Sequence, residues 1–232
     1  MPIAWKCALR VTHTMPTDHA AAPGSDARTV QHARFGGLDI AWDPRVLQPR
    51  EWTVEQSLWA ARLLPDLPPG PVLELCSGAG QIGLRAVLDS DRTLVCVDAN
   101  PVAATYTLEN ARRAGLLDRV EVRSGWIQEV LEPGEQFPMI IADPPWVPRE
   151  ETTQFPDDPS LAIDGGGDGM DVIRICVRAI AQHLAPGGTA LLQLGTGAQA
   201  EQVRSLLEDG PVVAGRYCIF ERGVVQRLDR PA

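Results

Sequence analysis

The sequence lacks the marks of a membrane protein, of a basic nucleic-acid-binding protein and of a disulfide-rich protein. No apolar run approaches the roughly 20 residues that cross a bilayer, which excludes a purely membrane-embedded role. Acidic residues outnumber basic ones by 30 to 21, and the formal net charge of −9 leaves the whole chain without a basic footprint for nucleic acid. The five cysteines form no C-x-x-C pair, which indicates reduced thiols in a cytoplasmic protein without a metal site.

The composition is that of one globular domain preceded by an irregular segment. The 232 residues are 44% hydrophobic and 22% charged, values that are typical of a folded chain. Residues 12–34 mix small, polar and proline residues without periodicity, so residues 1–34 are predicted to form a flexible N-terminal arm. Residues 35–232 are predicted to form a single domain that opens with a short hairpin over 35–42.

The rest of the chain alternates apolar strands with helices. Strands are predicted at 72–76, 93–97, 119–123, 138–142 and 189–194, and helices at 54–64, 81–88, 101–114, 173–184 and 199–208. Two last strands, 212–220 and 224–228, flank a turn and predict an antiparallel C-terminal hairpin. This order is typical of a Rossmann-like α/β fold with a seven-stranded, mostly parallel sheet and helices on both faces. Such a sheet binds its ligand outside the carboxyl ends of its strands.

A glycine-rich turn follows the first strand of this alternation. The segment ELCSGAG, residues 74–80, has glycines at 78 and 80, and Gly83 completes the spacing G-x-G-x-x-G. Glycines there let the backbone approach a ligand, and the N–H groups of the following helix face it. Asp98 ends the next strand, where a carboxylate can accept both hydroxyls of a ribose. Together these features predict an adenosine-containing cofactor.

A second motif, Asp143-Pro144-Pro145-Trp146, follows the fourth strand. Two prolines stiffen the turn, so that the Asp143 oxygens, the Pro144 carbonyl and the Trp146 indole surround one point. A planar amide, amidine or aromatic amine fits this arrangement, because its N–H groups donate to the oxygens while its π-face stacks on the indole. Positioning of the nitrogen lone pair then supplies much of the rate.

With these motifs the chain resembles the class I S-adenosylmethionine-dependent methyltransferases. Residues 35–195 resemble the release-factor glutamine methyltransferases and their small-domain relatives. The segment VLQPR at 46–50 followed by Thr53 is similar to that family's V-L-x-P-R-x-x-T, and DPPW at 143–146 is a variant of its N-P-P-Y. The segment LAIDGGGDG at 161–169 is similar to its acidic, glycine-rich loop.

The resemblance implies a role for each matching residue. Residues of the glycine turn and of the second strand end would bind S-adenosylmethionine, whose product is S-adenosylhomocysteine: Glu74, Ser77, Gly78, Gly80, Asp98 and Ala99, with Trp126 and Asp143 beside them. Residues Asp143, Pro144, Pro145 and Trp146 would form the catalytic motif that holds the acceptor nitrogen. Arg50, Thr53 and Trp146 would bind the acceptor at the pocket rim.

Three departures from the family's pattern bear on the acceptor. The acidic residue that contacts the adenine after the third strand is missing, and Trp126 is predicted to stack on the adenine or to cover it. Asp143 stands where the family has Asn, which adds a carboxylate that can also take a proton from an amine or hydroxyl. The helical N-terminal domain that grips release factors is not part of the sequence, which favours a different acceptor.

We therefore expect an S-adenosylmethionine-dependent methyltransferase that methylates a nitrogen, namely a protein or peptide side-chain amide or amine. A small-molecule N- or O-methyltransferase is the alternative, and the polar segment 147–158 is then a lid. A nucleic-acid base methyltransferase is disfavoured by the net charge, although related D-P-P-W motifs act on adenine. A non-catalytic protein that binds a cofactor or a partner is a further alternative. A partner subunit or a second copy of the chain also stays open.

Overall fold

The computed structural model describes residues 29–220 and 222–232. It opens with an antiparallel hairpin, β1 (Gln31–Phe35) and β2 (Leu38–Trp42). The predicted start of the hairpin at residue 35 is therefore too late, because β1 pairs along its whole length with β2 from Gln31 onward. The remainder of the predicted arm, residues 1–28, lies outside the described residues.

The main sheet has seven strands in the order β5-β4-β3-β6-β7-β9-β8. The strands are β3 (Val72–Leu75), β4 (Leu94–Asp98), β5 (Val120–Ser124), β6 (Phe137–Ala142), β7 (Leu184–Leu194), β8 (Val213–Ile219) and β9 (Val224–Asp229). Strands β3 to β7 run parallel to one another, whereas β9 pairs antiparallel with both β7 and β8. The predicted mostly parallel sheet with an antiparallel C-terminal hairpin is confirmed.

Helices cover both faces of this sheet. They are α1 (Val54–Leu63), α2 (Gln81–Val87), α3 (Pro101–Arg113), α4 (Ile127–Val130), α5 (Ser160–Ile163), α6 (Asp171–His183) and α7 (Gly197–Leu206). One core packs α4, α6 and α7 against one face, and a second packs the hairpin and α1 to α3 against the other. Within the described residues, no helix is both long enough and apolar enough to span a membrane.

Two local features differ from the prediction. Strand β7 begins at Leu184 rather than at residue 189, because Leu184 pairs with Phe137 of β6, and Gly187 and Gly188 exchange backbone hydrogen bonds with Arg230. Helices α4 and α5 were not predicted. Each has four residues, which is too short to leave a periodic pattern.

The strand order reverses between β3 and β6. The chain proceeds from β3 to β4 and β5 on one side, and then continues on the other side with β6 and β7. Leu75 and Ala142 are register partners at the carboxyl ends of β3 and β6, and the Asp143 N–H donates to the Leu75 carbonyl at 3.4 Å. The glycine turn and the D-P-P-W motif therefore lie side by side at the topological switch point, where open α/β sheets bind ligands.

Candidate active site

The glycine turn has a backbone that few residues can adopt. Gly78 and Gly80 have φ angles of 53° and 79°, and Cys76 is at 59°, the one positive non-glycine φ in the described part of the chain. Such strain clusters at functional sites. A Cβ on Gly78 would meet nothing within 4 Å, so the backbone here borders open space. A ligand can therefore approach the backbone of the turn closely at Gly78.

Asp98 closes this turn from the end of β4. Its carboxylate accepts from the backbone N–H of Gly78 and from that of Asn100, each at 2.8 Å. Burial raises the pKa of Asp98, and the two N–H groups oppose this increase. Ala99 continues from it towards α3. Each carboxylate oxygen has further lone pairs, so Asp98 can still accept from two ligand hydroxyls.

Glu74 lies beneath the turn rather than at its open edge. Its side chain is 2% exposed, and its oxygens accept from the Gly83 N–H at 2.9 Å and from the Cys96 thiol at 3.4 Å. Burial raises the pKa of Glu74 to about 8, although the Gly83 N–H opposes the change. A Cβ on Gly83 would lie 2.4 Å from Oε2 of Glu74. The third glycine of the motif is therefore required for packing between α2 and β3.

Two α3 side chains hold the turn from below. The Thr107 hydroxyl donates to the Gly78 carbonyl at 3.0 Å, and the Asn110 amide donates to the Ala79 carbonyl at 2.9 Å. Asn110 also bonds the Ala41 N–H and carbonyl, at 2.8 and 3.0 Å, and so joins the turn to β2. Sequence reasoning missed both residues. The signal was available, because polar residues on the buried face of a helix need partners.

Polar atoms without partners surround the turn. Within the described residues, the buried Ser77 hydroxyl and the Gln81 side-chain oxygen make no hydrogen bond. Buried polar groups are nearly always paired, so these atoms point to a polar ligand or to water at this edge of the sheet. Ser77 is one of the predicted cofactor contacts.

The D-P-P-W motif contains a carboxyl group that lacks a side-chain hydrogen-bond partner among the described residues. Burial alone raises the pKa of Asp143 to about 7, and no side-chain hydrogen bond reaches it from the residues that the structure describes. Pro144 and Pro145 are buried. The motif's start is fixed from behind by Gln56 on α1, whose amide donates to the Ala142 carbonyl at 3.1 Å. The Asp143 oxygens are thus available to accept from an acceptor's N–H groups.

Trp146 is seated on the end of β7. A Cβ on Gly195 would lie only 2.2 Å from Cε3 of its indole, so the ring lies directly against the glycine. The Trp146 carbonyl accepts from the Gln199 amide at 3.0 Å. Both the ring and the backbone of Trp146 are therefore held by the β7–α7 junction.

A cavity of about 110 Å³ opens beside this motif. Six predicted site residues line it, namely Arg50, Thr53, Asp143, Pro144, Pro145 and Trp146. The structure adds residues that sequence reasoning did not select, among them Trp52, Gln81, Phe155, Asp158 and Arg222. The cavity combines aromatic walls with one partnerless carboxyl, which is the pattern of a site for a small planar polar group.

An ion pair between two residues that are distant in the sequence closes the rim of the cavity. Arg50 donates to Asp158 at 2.5 Å, and Thr53 bonds the Arg50 carbonyl at 2.8 Å. Asp158 ends the polar segment 147–158, so the predicted rim residue and the predicted lid meet here. The backbone of Val147 also pairs with the glycine-rich loop, through Ile163 and Gly165.

Trp126 lies at the neighbouring strand end. Its side chain is 54% exposed, and the preceding Gly125 N–H donates to the Asp98 carbonyl at 2.9 Å. Trp126 therefore follows a glycine that bonds Asp98, and its indole lies largely in solvent, where it is available to a flat ligand.

Comparisons with known proteins agree with this architecture. The family model described as RMKL-like, methyltransferase domain, matches residues 73–156. A release factor glutamine methyltransferase from Clostridium acetobutylicum is 30% identical over 210 residues, 86% of this chain and 71% of that protein. A ribosomal protein uL3 glutamine methyltransferase from Bradyrhizobium diazoefficiens is 32% identical over 69% of this chain and 54% of that protein. The ribosomal protein L11 methylase of Lactobacillus delbrueckii shares the fold, with a TM-score of 0.59, 14% identity and coverage of 82% and 84%.

The similarity covers part of the length of each relative. The chain spans between 57% and 71% of the length of four release factor glutamine methyltransferases that it matches. The matched region includes both motifs at the switch point, and the fold is that of a methyltransferase. The chain is a methyltransferase, and it belongs to the family of the release factor glutamine methyltransferases.

Proposed function

We propose that this protein transfers a methyl group from S-adenosylmethionine to the side-chain amide nitrogen of a glutamine in a protein. One observation carries the proposal: Asp143 presents a partly buried carboxyl, to which no described residue donates a side-chain hydrogen bond, to a cavity directly beside the glycine turn. An amide nitrogen has two N–H groups, and the Asp143 oxygen and the Pro144 carbonyl are two acceptors from adjacent residues. The names of the relatives supply the glutamine.

The residues of the turn fit S-adenosylmethionine. Asp98 has spare lone pairs for ribose hydroxyls, the backbone at Gly78 borders open space, and the Ser77 hydroxyl needs a partner. Gly80 and Ala99 extend this surface, and Trp126 offers an exposed indole for the adenine. Glu74 contributes by holding α2 against β3. When bound, S-adenosylmethionine supplies an electrophilic methyl group on a positively charged sulfur.

The chain's own residues position and shield the acceptor. The Asp143 oxygen and the Pro144 carbonyl accept the amide N–H groups, which orients the nitrogen towards the neighbouring turn. Trp146 packs against one face of the planar amide, and Pro145 keeps the turn rigid. Arg50 and Thr53 hold the rim closed with Asp158, which limits the entry of water. After transfer, the Asp143 carboxylate is the group placed to take a proton from the methylated nitrogen.

The proposal includes a protein acceptor in the cytoplasm. The relatives are named for a release factor and for a ribosomal protein, and Cys76, Cys96, Cys176 and Cys218 are free thiols, as in a reducing compartment.

The test offers methyl-labelled S-adenosylmethionine with four acceptors, each mapped by mass spectrometry. These are a bacterial release factor, ribosomal protein uL3, free glutamine and an adenine-containing single-stranded DNA. Label on a glutamine side chain of one of the proteins, lost with Asp143→Ala, is the expected result. Label on free glutamine or on adenine alone would overturn the protein acceptor, and no transfer to any of them would overturn the glutamine assignment.

A further inference from the structure

Gln199 joins the D-P-P-W motif, which lines the cavity, to two segments that pack behind it. Its side-chain oxygen accepts from the backbone N–H of Gly195 at 2.8 Å and from that of Thr196 at 3.2 Å. Its amide nitrogen donates to the carbonyl of Trp146 at 3.0 Å and to that of Gly169 at 3.2 Å. One side chain thus connects the end of β7, the D-P-P-W motif and the glycine-rich loop.

The surroundings of Gln199 make this connection rigid. The residue is 6% exposed, and it lies in the first turn of α7, where Thr196 caps the helix and accepts from the Gln199 N–H at 3.2 Å. A Cβ on Gly169 would lie 2.5 Å from the Trp146 carbonyl and 3.0 Å from the Gln199 amide. Four backbone groups converge on the two polar atoms of one amide, and only a group that both donates and accepts satisfies them all.

These contacts fix both the backbone and the ring of Trp146. Gln199 holds the Trp146 carbonyl directly, and it holds the N–H of Gly195, on which the Trp146 indole rests. The Pro144 carbonyl and the Asp143 carboxyl precede this carbonyl by two and three residues in a turn stiffened by prolines. A shift of Trp146 therefore moves the acceptor-binding groups, whereas Asp98 and the glycine turn lie on the other half of the sheet.

We propose that Gln199 is a positioning residue that aligns the acceptor-binding half of the site without contributing to cofactor binding. The inference rests on the proposed function for its kinetic consequence, but its structural consequence, the fixed position of Trp146, can be measured without any acceptor.

The experiment compares Gln199→Glu and Gln199→Ala with matched changes at Gln202, which is exposed on the same helix. Glutamate keeps the acceptor oxygen for Gly195 but replaces the donor by an oxygen that faces two carbonyls. We expect kcat for methylation of the release factor or of uL3 to fall about 10- to 100-fold. A displacement of the acceptor-binding groups near 1 Å has an effect of this order. The Kd for S-adenosylmethionine should stay within about 3-fold of wild type, and the Gln202 variants should match wild type in both.

An acceptor-independent measurement accompanies the kinetics. The protein is labelled with 5-fluorotryptophan, and Trp146→Phe identifies the ¹⁹F signal of Trp146. This signal should shift or broaden in both Gln199 variants and stay unchanged in the Gln202 variants. An unmoved Trp146 signal in a folded variant would overturn the proposal, and so would cofactor affinity that falls in step with kcat. If Gln199→Ala does not fold, Gln199→Glu decides. If wild type methylates none of the proteins offered, the proposed function fails while the ¹⁹F result still decides the role of Gln199.

Discussion

Substituting alanine for Gly195 tests whether Trp146 is seated on the end of β7. The new Cβ would lie 2.2 Å from Cε3 of the indole, and ordinary contact begins at 3.4 Å, so the ring or the strand must move by about 1.2 Å. The φ of Gly195 is not in the left-handed range, and the backbone itself therefore tolerates alanine. Overpacking of this kind costs about 1–3 kcal/mol. Without the clash, a glycine-to-alanine change stabilises a protein by about 0.4–1 kcal/mol.

The assay is chemical denaturation of Gly195→Ala, Trp146→Ala and the double variant, with Gly167→Ala as the control. A Cβ on Gly167 would meet nothing within 4 Å, and its φ is also outside the left-handed range. We expect Gly195→Ala to lower the free energy of unfolding in wild type. In the Trp146→Ala background, the same substitution should have little of this effect. The contact would be refuted if Gly195→Ala were as stable as Gly167→Ala. The effects of Gly195→Ala and Trp146→Ala would then also add in the double variant to within about 0.5 kcal/mol.

Four other predictions concern the carboxylates and the support of the site. Burial raises the pKa of Asp143 to about 7, so the rate of methyl transfer should rise with pH through that value. The pH profile should become flat in Asp143→Asn, because an amide oxygen accepts a hydrogen bond at every pH. An unchanged profile in this variant would contradict the role of the carboxylate. The raised pKa means that the folded state binds more protons than the unfolded state between about pH 4 and 7. Stability should therefore fall as pH rises through this window, and Asp143→Asn should gain stability over wild type at about pH 8 but not at about pH 4. Asn110→Ala leaves buried backbone groups unpaired and should cost about 2 kcal/mol or more and weaken S-adenosylmethionine binding, whereas an effect on stability alone would remove its link to the turn. Asp158→Asn should raise KM for the acceptor more than it lowers kcat, because it loosens the ion pair with Arg50 at the rim; unaltered kinetics would show that the pair does not close the cavity.

Local sequence signals accounted for most of the sheet and its helices. Helix α3 was predicted at 101–114 and lies at Pro101–Arg113, because Pro101 favours the first helical position and Gly115 ends the helix. Strand β3 was predicted at 72–76 and ends at Leu75, where Cys76 adopts a positive φ that ends the extended backbone. Apolar runs and turn residues are encoded within a few positions, and so they can be read without the fold.

The supporting contacts of the site could not be predicted in the same way. Arg50 and Asp158 are 108 residues apart, and Asn110 bonds Ala41 across 69 residues. Gln199 is an ordinary polar residue in a helical pattern, and only the packing of three distant segments gives its amide four partners. Such pairings depend on which strand ends meet at the switch point, and no local periodicity carries that information. The direction of the Glu74 side chain could not be predicted either. Its position in the motif placed it with the cofactor residues, whereas its side chain points beneath the turn.

We infer that the two motifs at the switch point have separate roles: the glycine turn binds the cofactor, and the D-P-P-W motif binds the acceptor. Calorimetric titration of S-adenosylmethionine into wild type, Asp98→Ala and Asp143→Ala tests it most directly. We expect wild type and Asp143→Ala to bind with similar, micromolar or tighter affinity, and Asp98→Ala to bind at least about 10-fold more weakly. No binding to wild type, or an Asp98→Ala variant with undiminished affinity, would contradict it.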